Sequence, residues 1–300
     1  MGLAFSPPPP TPAPAEASSP SEAWSRLRRW LQEPQRCWLE DLGLRPREVD
    51  TPVLDRDALE LDERQRAGLL RHQLDPMPEE LPNWLELERG RGQLPPEAAG
   101  ELEVQRLQQR WQALALCLEQ LGEARSVRAG WCDLEADLHW RGDALVLLHA
   151  GRPRTAQRLG LWLDLLLASA AGEAPRQAVL VGRDSDRFRV LERYEAPDAA
   201  AAAELLAVLR HWQAEYQGRC WPLPPETGWA WAAAEEPRRW QRAQEAWEGG
   251  YQRMAERRDA VQAVCFGADL PVAELLSPEL QALALELHTP LLERRQEVKR

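Results

Sequence analysis

The alternation of apolar and polar positions is most regular between residues 126 and 171. There it predicts two short strands, a polar turn at Arg141–Asp143, a third strand and an amphipathic helix. The run ALVLLH, from Ala144 to His149, is apolar, short and bounded by turn signals, the pattern of a strand covered on both faces. Gly151 and Pro153 end it. Thr155 stands at the N-cap position of the helix, and Leu159, Trp162, Leu163, Leu166 and Leu167 follow the helical repeat. Gln177 to Val181 and Phe188 to Tyr194 read as a hairpin that extends the sheet, stopped by Pro197.

Elsewhere the period is helical. Ser21 is placed to cap a helix from Glu22 to about Gln32, with Trp24, Leu27, Trp30 and Leu31 inward. Pro34 interrupts it, and the pattern resumes from Gln35 to Leu42. Two more helices are expected at 62–74 and 81–89. A long helix from about Gly100 to Gln120 carries a stripe of Leu102, Leu107, Trp111, Leu114, Leu118 and Leu121. Asp198 to Tyr216 is a further helix with Leu205, Leu206, Leu209 and Trp212 inward. Residues 219–232 read as an extended Pro-rich segment, and Pro278 to Glu293 as the last helix. The chain thus divides into a Pro-rich linker (1–21), a helical domain (22–124), an α/β core (125–217) and a Trp/Pro-rich segment with helices (218–300). Opening on a linker, it is expected to be the C-terminal piece of a longer subunit.

Composition narrows the chemistry. Lys299 is the sole lysine, which excludes a P-loop lysine, a Schiff base and an Asp-x-Lys nuclease pair. A net charge of −11 argues against a free-standing nucleic-acid binder. The five cysteines form no CxxC pair, so neither a zinc site nor a disulfide framework is expected, and a reducing cytoplasm suits them. No window of 18 consecutive apolar residues suggests a membrane span. Fourteen tryptophans fit a Trp-rich core or a partner-covered surface; Trp221, Trp229 and Trp231 are the interface candidates.

Asp133, Glu135 and Asp137 alternate with apolar residues, as metal ligands or as the wet face of an edge strand. The acidic stretch 40–63, with nine carboxylates, reads as a solvated connector. His149 is either a buried structural histidine or a base. Arg26, Arg28 and Arg29 suit an exposed helix face as well as a phosphate contact. Arg152, Arg154 and Arg158, beside Gln157, make a phosphate cradle at a helix start, or simply solvate it.

The ordered set of landmarks resembles the C-terminal region of the RecC family, the gamma subunit of exonuclease V (the RecBCD helicase–nuclease). It runs through EPQRCWL, ELDERQRAGLLRHQL, GQLPPEAAGE, RPRTAQRLGLWLDLLLASAAG, PLPPETGWAW and AWEGG. Its most specific element is the helix Ala156-Gln157-x-x-x-Leu161-Trp162-Leu163-x-x-Leu166 behind a strand. The chain departs from the family at Pro96-Glu97, where an aromatic and a glycine are commoner, and lacks the usual Arg-Trp-Arg-Pro before the key helix.

The resemblance implies an α/β (α+β) fold: a degenerate restriction-endonuclease-like, PD-(D/E)XK-type core with large helical additions. Leu147 to Gly151 stands where such a nuclease has Asp-Tyr-Lys-Thr-Gly, and Asp137 or His139 is nearest to the first carboxylate. The implied role is a non-catalytic, cytoplasmic subunit that scaffolds RecB-like and RecD-like partners and helps part DNA strands at double-strand ends. No catalytic or metal-binding residue is then expected here, and no cofactor, ATP and Mg²⁺ belonging to the partners. DNA contacts are expected at Arg152, Arg154, Gln157 and Arg158. Two alternatives stay open: a Mg²⁺-dependent nuclease on Asp133, Glu135 and Asp137, and a Trp-rich interaction module unrelated to DNA.

Overall fold

The computed structural model describes residues 19–46, 60–71, 84–173, 175–185, 187–250 and 254–298. The Pro-rich lead before residue 19, acidic residues 47–59, the expected helical residues 72–74 and 81–83, and Lys299 lie outside the described residues. The described residues form twelve α-helices and one mixed, open six-stranded sheet. In chain order they are α1 (Pro20–Gln32), α2 (Pro34–Asp41), α3 (Glu63–Arg71), α4 (Trp84–Gly90), α5 (Glu97–Glu119), β1 (Ala124–Trp131), β2 (Leu134–Arg141) and β3 (Ala144–His149). There follow α6 (Thr155–Ala170), β4 (Gln177–Asp184), β5 (Arg187–Glu195), α7 (Ala199–Glu215), α8 (Pro225–Ala232), α9 (Arg239–Trp247), α10 (Ala260–Phe266), α11 (Val272–Leu275), α12 (Pro278–Leu292) and β6 (Arg295–Glu297).

The order of strands in the sheet is their order in the chain. β3 and β4 run parallel, joined through α6, whereas β2–β3, β4–β5 and β5–β6 are antiparallel. A parallel neighbour needs a crossover connection, and the apolar repeat of α6 supplies it. Ala178 to Val181 on β4 are all buried, as a doubly covered strand requires.

The chain divides into two compact units. One takes α1, α2, residues 130–136 and the described part of 203–293; the other takes the described parts of 60–129 and 137–202, with 294–298.

In the second unit, Leu107, Trp111, Leu114 and Leu118 of α5 share a core with Ala144, Val179, Val181 and Phe188 of the sheet. Leu102 does not join them: it is 57% exposed, because five residues of helix turn it well away from Leu107. Gly100 and Glu103 fill that end of the face. Glu103 is buried by a two-pronged pair with Arg66 of α3, both bonds 2.8 Å. Glu63 accepts from Arg66 and Arg110 and pairs with Arg183. The turn into α5 is tight: Glu97 has φ +51°, and a Cβ on Gly100 would lie 2.2 Å from the Pro95 carbonyl oxygen.

The first unit is built on tryptophan. Trp221 meets Trp30 edge-on at 5.3 Å, Tyr216 at 4.8 Å and Trp212 at 5.9 Å. Ser19, not Ser21, caps α1, accepting from the Glu22 amide at 3.3 Å; Pro20 at the first helical position favours that start. Residues 225–232 are helical, not extended. Pro225 suits a first turn, and Glu256, remote in sequence, accepts from the Glu226 and Thr227 amides at 2.9 and 2.7 Å. Local propensity cannot register a cap supplied from so far along the chain.

Candidate functional site

β3 ends in Leu147-Leu148-His149, and the chain turns through Gly151 and Pro153 into α6. Arg154 is the N-cap of α6, so Thr155 is its first helical residue and lies buried. The Gln157 side-chain oxygen accepts the Arg154 amide at 2.9 Å, closing the helix start. Gly182 on β4 lets this loop lie close: a Cβ there would come within 3.0 Å of Pro153 Cγ and 2.7 Å of Leu191 Cδ1.

Strand β5 decides what faces α6. By alternation Phe188, Val190, Glu192 and Tyr194 share one face. The ladder shifts register between Leu180 and Val181: Val190 pairs with Val181, but Glu192 pairs with Leu180 and Tyr194 with Ala178. Directly opposed residues point the same way, so this bulge leaves Phe188 and Val190 on the α5 side and turns Glu192 and Tyr194 to the other. There Arg158 of α6 grips Glu192 through Nε and Nη2, with a contact of 2.8 Å. Arg295 of β6 adds a bond of 3.0 Å, and the Tyr194 hydroxyl donates to the same carboxylate. Burial pushes the Glu192 carboxyl up, but the two guanidiniums outweigh it and hold it below the usual range. Burial, followed by the Glu192 charge, raises Tyr194.

Of the four residues expected to touch DNA, Arg152 and Arg154 are exposed, Gln157 is half-buried in its cap, and Arg158 is committed to Glu192. His149 is half-buried. Burial, and then the charges of Arg71 and Arg154, lower it to about 4, so it is neutral at pH 7. Arg71 therefore lies, with Arg154, near the end of β3. Asp133 lies in the β1–β2 turn and is forked by Arg210 at 2.9 and 3.1 Å. Leu134, Leu138 and Trp140 are buried while Asp137 and His139 are exposed, so the acidic face of β2 is the wet one. Among the described residues no group of three His, Cys, Asp or Glu is placed to hold a metal ion. Trp221, Trp229 and Trp231 are 3%, 8% and 9% exposed. Their rings pack on Trp30, His288 and Trp240 of their own unit.

Glu192, Tyr194 and Arg295 were not legible as a cluster. The bulge hides the shared face of the first two with α6, and Arg295 lies on a three-residue strand without a sequence signal. No helix among the described residues is long and apolar enough to cross a membrane. Against known families, residues 23–236 match the family model of the RecC C-terminal domain. No curated protein matches the chain.

Proposed function

The chain belongs to the RecC C-terminal domain family, and from that membership we propose that it is the C-terminal portion of a non-catalytic subunit in an ATP-dependent DNA helicase–exonuclease. In this reading it scaffolds RecB-like and RecD-like subunits in the cytoplasm and helps separate strands at double-strand ends. The family match over residues 23–236 carries the proposal.

The chemistry at the end of β3 supports it. In an active nuclease core the order β1, β2, β3, α6 and β4 would bring an acid and a lysine to the end of β3, for Mg²⁺ and the attacking water. Leu147 and a neutral His149 stand there instead. Glu192, the buried carboxylate beside α6, is already neutralised by Arg158 and Arg295. ATP hydrolysis and phosphodiester cleavage then fall to the partners. Arg152 and Arg154 are left to meet backbone phosphates.

The test is co-expression of the tagged chain with the RecB-like and RecD-like subunits of the same genome, followed by size-exclusion chromatography at moderate salt. A stoichiometric complex is expected. Separate, well-folded peaks overturn the scaffold reading. Mg²⁺-dependent cleavage by the isolated chain, abolished by Asp137→Ala, would establish the nuclease instead.

A further inference from the structure

Two of the five cysteines meet within the first unit. The side chains of Cys220, just ahead of Trp221, and Cys265 on α10 lie within reach of each other, Cys220 Sγ also donating to the Trp221 carbonyl oxygen at 3.5 Å, and both residues are half-buried. A separate chain of contacts fixes the segments that carry them. Gln35 Nε2 of α2 donates to the carbonyl oxygens of Trp221 and Leu223, each at 3.0 Å. Gln262 Nε2, three residues before Cys265 on α10, donates to Gln35 Oε1 at 3.5 Å. Both glutamines are buried, so residues 221–223, which follow Cys220 directly, and the helix of Cys265 are held by one shared side chain.

We propose that Cys220 and Cys265 form an oxidisable dithiol whose disulfide bolts the Trp221 segment to α10. The oxidant is a low-molecular-weight disulfide such as oxidised glutathione. The Cys265 thiolate attacks one glutathione sulfur, forming a mixed disulfide and expelling a glutathione thiolate. The Cys220 thiolate then attacks the Cys265 sulfur, closing the protein bridge and expelling the second glutathione. Two protein thiols thereby lose two protons and two electrons, and one oxidised glutathione becomes two reduced molecules. Cys265 leads because the Cys220 thiol beside it favours its thiolate, whereas the same contact holds Cys220 protonated. Two of the other cysteines compete poorly. Burial raises Cys37 to about 11 and also raises Cys117, while exposed Cys132 stands in the β1–β2 turn.

The experiment incubates the full chain with oxidised glutathione, alkylates the remaining thiols in denaturant and maps the peptides. The expected product is a Cys220–Cys265 linked peptide, with a raised thermal midpoint that returns on reduction. The link is expected to vanish in Cys265→Ser and persist in Cys37→Ser. Recovery of Cys220 and Cys265 as separate alkylated or glutathionylated peptides in the unsubstituted chain overturns the proposal, as does a bridge from either to another cysteine.

Discussion

Glu97 holds φ at +51°, a backbone angle that costs an L-residue with a Cβ roughly 1–2 kcal/mol and glycine almost nothing. Glycine, with no Cβ, takes this angle freely. Glu97→Gly is expected to stabilise the chain by up to about 1 kcal/mol, part of the relief being offset by glycine's freedom when unfolded. Three residues on, the sign reverses. A methyl on Gly100 would press on the Pro95 carbonyl, a backbone atom that cannot swing aside, so Gly100→Ala is expected to destabilise by about 2 kcal/mol or more. Urea midpoints of the two variants measure both. The sequence displayed the departure at Pro96-Glu97 but not its backbone angle. At the proposed DNA contact, the double change Arg152→Glu, Arg154→Glu should weaken DNA binding by the assembled complex alike for all sequences. It should also reduce the salt dependence, by about one in the log–log slope for each phosphate that is no longer neutralised. Titrations at several salt concentrations test this.

At the scale of elements, the strand–helix centre was legible because its signals are local: ALVLLH between turns, then a leucine repeat after Thr155. What escaped depends on partners remote in sequence. Alternation along β5 could not reveal the bulge that turns Glu192 toward α6. The leucine stripe of α5 extended to Leu102 because a buried Glu103 looks polar until Arg66 arrives from α3. The start of α8 rests on Glu256, which no local rule connects to Pro225. The α3–α5 contact follows from the same logic. Glu103→Ala leaves the buried Arg66 with only the more exposed Glu60 and Glu63, with an expected loss of about 3 kcal/mol, read from denaturant unfolding.

Across the molecule, acidity acts on groups whose contributions oppose one another. His288 of α12 is fully buried against Trp229 and burial lowers it to about 3; Glu256 is raised by burial to about 7 despite its three hydrogen-bond donors. Between pH 4.5 and 6.5 the unfolded chain protonates the histidine and the folded chain protonates the glutamate, so proton uptake balances and the first unit's stability stays level. Below pH 4.5 the Glu256 offset ends, and the His288 difference lowers stability by about 1.4 kcal/mol per pH unit toward pH 3; Glu248, whose carboxyl the Val272 amide holds below the usual range, adds to the fall. Glu256→Gln removes the balancing group, so the fall should begin near pH 6.5; urea midpoints against pH for both proteins show whether it does. In the second unit Glu63, lowered to about 2 chiefly by its arginines against the opposing effect of burial, stabilises above pH 4.5 and loses that contribution as pH drops toward 2. The sheet also sets an order of assembly. Arg295 and Glu192 are 103 residues apart, so on a ribosome β5 must wait as an open edge while the helices of 203–293 are synthesised. Its alternating charges, Arg187, Arg189, Arg193 and Glu195, keep that edge from recruiting a neighbouring nascent chain until β6 emerges to close it.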